Sequence, residues 1–94
     1  MSSLTSDQVA LQLDALDGWN LEGNSISKTF VFTDFASAIA FMTKVAFYCV
    51  ELEHYPNWSN HQNIVSVKIG EFDQSAVQGR DIQLAKRMEG CYTA

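Results

Sequence analysis

The stretch TDFASAIAFMTKVAFYCVELEHYPNW, residues 33–58, decides the fold because it contains the longest helical pattern in the chain. Apolar side chains recur in it at spacings of three and four residues, the period of one helix face; they are Phe35, Ala38, Ile39, Met42, Val45, Ala46 and Cys49. Thr33 and Asp34 offer side-chain oxygens to the free N–H groups of a first turn. Because Pro56 cannot continue a helix, we expect the helix to end two or three residues before it.

The opposite face of this helix is apolar as well; it carries Ala40, Phe41, Phe47, Tyr48 and Val50. A helix that is apolar nearly all round has to be buried nearly all round. A chain of 94 residues builds one modest core, which can cover one face. We therefore expect Phe41, Phe47 and Tyr48 to lie against a second copy or a partner protein. A membrane span is the alternative, but the apolar run, interrupted by Lys44, is shorter than the ~20 residues a bilayer requires.

Composition excludes several classes of protein. A formal net charge of −5 disfavours binding to nucleic acid, which depends on clustered basic side chains. The N-terminus lacks the basic and apolar segments of a signal peptide. Cys49 and Cys91 are far apart and predict neither a disulfide framework nor a zinc site. We expect a single domain, residues 1–94, in the cytoplasm, without a membrane segment.

The rest of the chain predicts two hairpins and two further helices. Thr5 and Gln8 have the spacing of a capping box, and the helix they open ends at Asp17-Gly18. The predicted strands are Trp19–Glu22, Ser25–Phe32, Asn57–His61 and Ile64–Ile69, with turns at Gly23-Asn24 and Gln62-Asn63. A last helix spans Arg80–Glu89 and is terminated by Gly90. The order α-β-β-α-β-β-α predicts an α+β fold, a four-stranded antiparallel sheet with helices packed on one face.

One motif, His54-Tyr55-Pro56, contains a side chain suited to acid–base catalysis. An imidazole titrates close to neutral pH, so His54 could act as a general acid or base beside Glu51, Glu53 or Trp58. The structural interpretation is that the imidazole caps the end of the long helix, and the sequence favours it. His54 and His61 flank a proline turn without a known ligand spacing, so we expect no metal.

Three segments resemble the pterin-4a-carbinolamine dehydratase family: VELEHYPNWSN (50–60), IVSVKI (64–69) and GRDIQLAKRME (79–89). The resemblance extends more weakly over the whole chain and implies the same order of elements. It also implies sheets that pair into dimers, and dimers that join through the long helix. The expected assembly is therefore a homodimer or a homotetramer.

The resemblance implies that the chemistry of the family has been lost. Its signature has an acidic residue, then a His-His-Pro motif, then a third histidine; these positions hold Val50, His54-Tyr55 and Phe72 here. The scaffold positions fit, among them Pro56, Trp58, Asn60, Asp73, Arg80 and Asp81. The resemblance therefore implies a vestigial pterin cleft made of His54, Tyr55, Pro56, Trp58, Phe72 and Asp73. Loss of one general acid–base group typically costs about 10²–10⁴-fold in rate.

Two functions of different classes follow from this resemblance, with a pterin-binding sensor as a third. The favoured hypothesis is a catalytically degenerate protein that assists assembly of another protein. It is similar to a degenerate branch of the family that accompanies α-carboxysome genes and is implicated in assembling RuBisCO, which adds carboxysome association to the cytoplasmic location. The alternative is a weak 4a-hydroxytetrahydrobiopterin dehydratase using His54 with Tyr55. Under the favoured hypothesis we expect no cofactor and little or no pterin binding.

Overall fold

The computed structural model describes residues 5–70 and 76–92. The elements are α1 (Ser6–Asp14), β1 (Asn20–Glu22), β2 (Ser25–Val31), α2 (Phe35–Leu52), β3 (Asn57–His61), β4 (Ile64–Ile69) and α3 (Gly79–Cys91). Their order, α-β-β-α-β-β-α, confirms the predicted fold class. Strands β3 and β4 have the predicted bounds. Helix α1 ends at Asp14, three residues before the predicted stop at Asp17-Gly18, and the other elements differ from the prediction by one or two residues at an end.

The four strands form one antiparallel sheet in the order β1-β2-β4-β3. Each hairpin contributes one central and one edge strand, and the two hairpins join through β2 and β4, where Phe30 faces Val65. One face of the sheet packs on the helices through Ile26, Phe30, Val65, Val67 and Ile69, all of which are buried. The other face is open and mostly polar. This alternation follows from the two-residue period of side chains along a strand.

Local hydrogen bonds fix the helix ends much as the sequence predicts. Thr5 and Gln8 form a reciprocal capping box on α1. The Asp34 carboxylate accepts the Ser37 N–H at 2.8 Å and opens α2. That hydrogen bond lowers the pKa of Asp34, because it favours the ionised carboxylate.

An aromatic cluster lies at the centre of the core. Phe41 of α2 lies with its ring centroid 4.9 Å from that of Phe30 and 5.0 Å from that of Phe32. Tyr92 completes the cluster, 4.9 Å from Phe30, and its hydroxyl donates to the carbonyl of Val31. These rings attach α2 and the end of α3 to the same strand.

The predicted orientation of α2 was wrong in part. Phe41, expected at an interface between chains, is 3% exposed and belongs to the protein's own core. Ala38, Val45 and Cys49 are buried with it, as predicted. Phe35, Ile39 and Ala46, expected in the core, are exposed instead. Phe41 faces inward because its ring packs on Phe30 and Phe32. The buried face of α2 is therefore rotated about the helix axis relative to the predicted one.

The predicted end of α3 was also wrong. The helix continues through Gly90 to Cys91. A side chain at Gly90 would meet nothing within 4 Å, so the glycine occupies an open helical position. The contacts of Tyr92 determine where the chain leaves the helix.

Helix α2 is long and apolar enough to cross a membrane, a test that core helices of soluble proteins also pass. One side of it packs on the sheet of its own chain through four buried residues. We therefore interpret α2 as a core helix with an exposed second side.

Candidate functional site

The site is built on the turn that ends α2. Glu53 adopts a left-handed conformation, φ 52°, and its N–H donates to the carbonyls of Cys49 and Val50. The backbone N–H of His54 donates to the carbonyl of Cys49 at 3.0 Å. These bonds satisfy the last carbonyls of the helix in the manner of a Schellman motif. The turn reverses the chain and buries the imidazole of His54, which is 1% exposed.

The imidazole of His54 pairs with a carboxylate from another helix. Its Nε2 lies 2.5 Å from Oδ1 of Asp81, a fully buried residue in the first turn of α3. The other carboxylate oxygen, Oδ2, accepts the backbone N–H of Gln78 at 2.8 Å. Asp81 therefore caps the start of α3 and holds the end of α2 at the same time.

The second ring nitrogen of His54 has no hydrogen-bond partner among the described residues, although it is buried. Burying an N–H without an acceptor costs more free energy than burying a nitrogen lone pair against an apolar neighbour. The geometry therefore favours the tautomer with the proton on Nε2, donated to Asp81. In this arrangement neither nitrogen of His54 faces solvent.

Among the described residues, no hydrogen bond or ion pair joins the other members of the expected cleft to His54. Tyr55 is 61% exposed, and Pro56 is half-buried. Trp58 packs against the hydrophobic core from strand β3, and His61 is exposed at the far end of that strand. Phe72 and Asp73 lie outside the described residues.

Sequence reasoning missed the role of Asp81 and mistook that of His54. The expectation that the imidazole caps the helix end was wrong, because the backbone N–H groups of Glu53 and His54 do so. A signal for Asp81 was present: it stands three residues after Gln78, the spacing of a capping box at a helix start. Nothing in the local pattern pairs it with a histidine 27 residues away.

The outer face of α2 is the second candidate site. We use this name for its exposed large apolar side chains, Phe35, Ile39, Phe47 and Val50. Phe47 is 73% exposed and Val50 66%. Tyr48 is half-buried, with its ring 4.8 Å from the guanidinium of Arg87, and therefore lies towards α3. Of the three expected interface residues, Phe47 alone is fully available.

Residues 2–91 match a model of the family described as Pterin 4 alpha carbinolamine dehydratase. The chain belongs to this family. Curated relatives bear the name "Putative pterin-4-alpha-carbinolamine dehydratase". The protein of Mesorhizobium japonicum is 40% identical over 87 residues, covering 90% of this chain and 89% of its own. That of Sulfurisphaera tokodaii is 33% identical over 93 residues, covering 99% of this chain and 100% of its own.

A solved structure extends the similarity to three dimensions. It is described as a transcriptional coactivator/pterin dehydratase from Brucella melitensis, and it has a TM-score of 0.90 and 34% identity. The alignment covers 98% of this chain and 100% of that one. Members of the pterin carbinolamine dehydratase family form oligomers, which agrees with an exposed apolar helix face on this chain.

Proposed function

We propose that this protein is a catalytically degenerate member of the dehydratase family and acts as a protein-assembly factor, with RuBisCO as its client. The observation that carries the proposal is the burial of His54. It is the one histidine retained at a catalytic position of the family pattern, and its Nε2 is bonded to Asp81 inside the protein.

The dehydration reaction needs groups that the described surface does not provide. Water leaves a 4a-hydroxy-tetrahydropterin when one group protonates the hydroxyl and another removes a ring proton. Both groups have to lie within hydrogen-bond reach of the substrate. His54 is closed to solvent, and its exposed neighbour Tyr55 offers a phenol where the family pattern has a second imidazole. Val50 stands where the pattern has an acid, and it can neither donate nor accept a proton.

The surface supports an assembly function instead. The outer face of α2 places four exposed apolar side chains along an 18-residue helix, and exposed apolar patches of this kind mark protein interaction sites. A symmetric oligomer presents such sites in pairs, and RuBisCO is itself built from symmetric dimers. Two weak contacts to one client gain from effective concentration, so a small interface per site suffices.

The proposal is tested by co-expression with the large and small subunits of RuBisCO. The measured quantity is the yield of soluble holoenzyme with the wild type, with Phe47→Glu and with Leu11→Glu. Leu11 is the matched control, because it is equally apolar and exposed but lies on α1. We expect Phe47→Glu to abolish the gain in yield and Leu11→Glu to retain it.

The cleft is tested in the same system with His54→Ala and with the milder Tyr55→Phe. Both variants should keep the assembly effect if they fold, which circular dichroism checks. Loss of the effect in Tyr55→Phe, together with its retention in Phe47→Glu, would assign the function to the cleft. Equal yields with and without the wild-type protein would refute the link to RuBisCO.

A weak dehydratase is the second candidate, and the His54–Asp81 pair is the observation in its favour. A carboxylate that holds an imidazole is a common way to orient a general base, and the curated relatives carry the name of the enzyme. Under this hypothesis, Tyr55→His combined with Phe72→His should raise the dehydration rate more than either change alone, because residues that act as a unit are non-additive.

A further inference from the structure

The open face of the sheet carries an ordered set of small hydrogen-bonding side chains. One row crosses all four strands, because Asn20 faces Ser27, Ser27 faces Lys68, and Lys68 faces Asn57. A second row consists of Thr29, Ser66 and Ser59 on the three adjacent strands. We call these seven residues the polar sheet face.

Strand propensity does not explain the polar sheet face. Exposed strand positions are usually held by threonine or other β-branched and aromatic residues, and asparagine is depleted there. Asn57 and Ser59 on β3, and Ser66 on β4, are short side chains that add little to sheet stability. A local choice that opposes the fold without a compensating contact marks a position kept for function.

Lys68 is the charged centre of this surface. It is exposed, and no acidic side chain among the described residues lies within ion-pair distance of it. Its cross-strand neighbours, Ser27 and Asn57, are uncharged. Lys28, the other lysine here, is already bound to Glu89 at 2.7 Å. A free ammonium is thus surrounded by hydroxyl and amide groups in a protein whose net charge is −5.

The polar sheet face lines an open hollow of about 490 Å³, and the other residues around it are Glu22, Lys28, Trp58 and Val67. This volume falls in the range of small-molecule sites, about 300–1,000 Å³. Neighbouring strands are about 4.8 Å apart, and alternate residues along a strand are about 6.7 Å apart. Several of these side chains can therefore contact one small ligand together.

We propose that this hollow binds a sugar phosphate. The Lys68 ammonium supplies the charge-assisted bond to a phosphate, with Ser27 and Asn57 as donors on either side. Hydroxyl and amide groups both donate and accept, which matches the hydroxyls of a sugar. The two rows of the polar sheet face contain no aromatic side chain; Trp58 also lines the hollow, and it packs against the hydrophobic core.

The proposal is tested by following backbone amide signals of the uniformly ¹⁵N-labelled protein during titration with glucose 6-phosphate. Two further titrations use glucose alone and inorganic phosphate alone. We expect saturable shifts at Ser27, Ser66 and Lys68 with glucose 6-phosphate, and weaker binding in each of the two further titrations. Shifts that never saturate, or that spread evenly over the surface, would overturn the proposal.

Two sets of variants make the test specific. Lys68→Met should weaken binding by about tenfold or more, the cost of one hydrogen bond to a charged group. Lys86→Met on the exposed side of α3 should leave binding unchanged, and equal weakening by both would show non-specific charge attraction. Ser59→Val with Ser66→Val should raise the melting temperature while weakening binding. Unchanged affinity in that double variant would also contradict the proposal.

Discussion

The Nε2 atom of His54 lies 2.5 Å from the Oδ1 atom of Asp81, and neither side chain reaches solvent. This pair joins the last turn of α2 to the first turn of α3, two elements separated by a hairpin in the sequence. His54 and Asp81 therefore link two elements of the fold inside the protein.

The first prediction concerns the free energy of unfolding. His54→Leu removes a hydrogen-bond donor from the buried Asp81 carboxylate, and Asp81→Leu removes the acceptor from the buried His54 imidazole, so we expect each change to lower the free energy of unfolding by about 3–5 kcal/mol. The double variant should lose less than the sum, because neither buried polar side chain remains. Urea denaturation of the four proteins measures the coupling, and strictly additive losses would show that the pair has no energetic role.

The second prediction separates the two sides of α2. Phe41→Ala should lower the free energy of unfolding by about 3–5 kcal/mol, because it opens a cavity in the aromatic cluster. Phe47→Ala should change it little in the isolated subunit, but should shift the oligomer towards smaller species in light scattering. A large assembly that persists in Phe47→Glu would place the subunit interface elsewhere.

These two residues also show how far the sequence could lead. Caps and turns depend on residues close in the chain, so Thr5, Asp34 and Pro56 located the helix ends correctly. Both sides of α2 are apolar, and its periodicity could not decide which side faces the sheet. That choice depends on the rings of Phe30 and Phe32, contributed by another element, and so does the position of Phe41.

The candidate site was predictable to the same extent. The motif at His54 could be located from the residues, but its partner could not, because a buried hydrogen-bonded pair depends on tertiary packing. The prediction of where α3 ends was wrong for a related reason. Gly90 is a stop signal when a helix end is free, whereas here the helix ends two residues later than predicted, at Cys91, next to the hydrogen bond from Tyr92 to Val31.

The third prediction is a dependence of stability on pH at the start of α2. The hydrogen bond from the Ser37 N–H lowers the pKa of Asp34 below the ordinary value of 3.8. A depressed folded-state pKa means that the stabilisation is complete above the unfolded value and is lost as pH falls through the folded one. The melting-temperature gap between wild type and Asp34→Ala should therefore shrink at acidic pH.

Asp34→Asn is the control for this gap, because asparagine remains a capping acceptor at every pH. Its melting temperature relative to that of Asp34→Ala should stay nearly constant. If the melting-temperature difference between wild type and Asp34→Ala stays the same at pH values well below 3.8, the carboxylate is not the origin of the effect.

The fourth prediction concerns the two free thiols. Burial raises the pKa of both Cys49 and Cys91, and near Cys91 the charges of Lys44 and Arg87 partly oppose that rise. Because the thiolate is the nucleophile, Cys91 should react with iodoacetamide before Cys49, which is buried. Lys44→Gln should slow the reaction of Cys91. Mass spectrometry of the labelled peptides measures both rates, and faster labelling in Lys44→Gln would contradict the assignment.

The central claim is that this member of the dehydratase family has kept the fold and lost the chemistry. The most direct measurement is the stopped-flow rate of 4a-hydroxy-tetrahydropterin dehydration at increasing concentrations of the purified protein. The account predicts a rate equal to the uncatalysed one at every concentration. A rate that rises in proportion to the protein, and falls to the uncatalysed value in a folded His54→Ala variant, would contradict it.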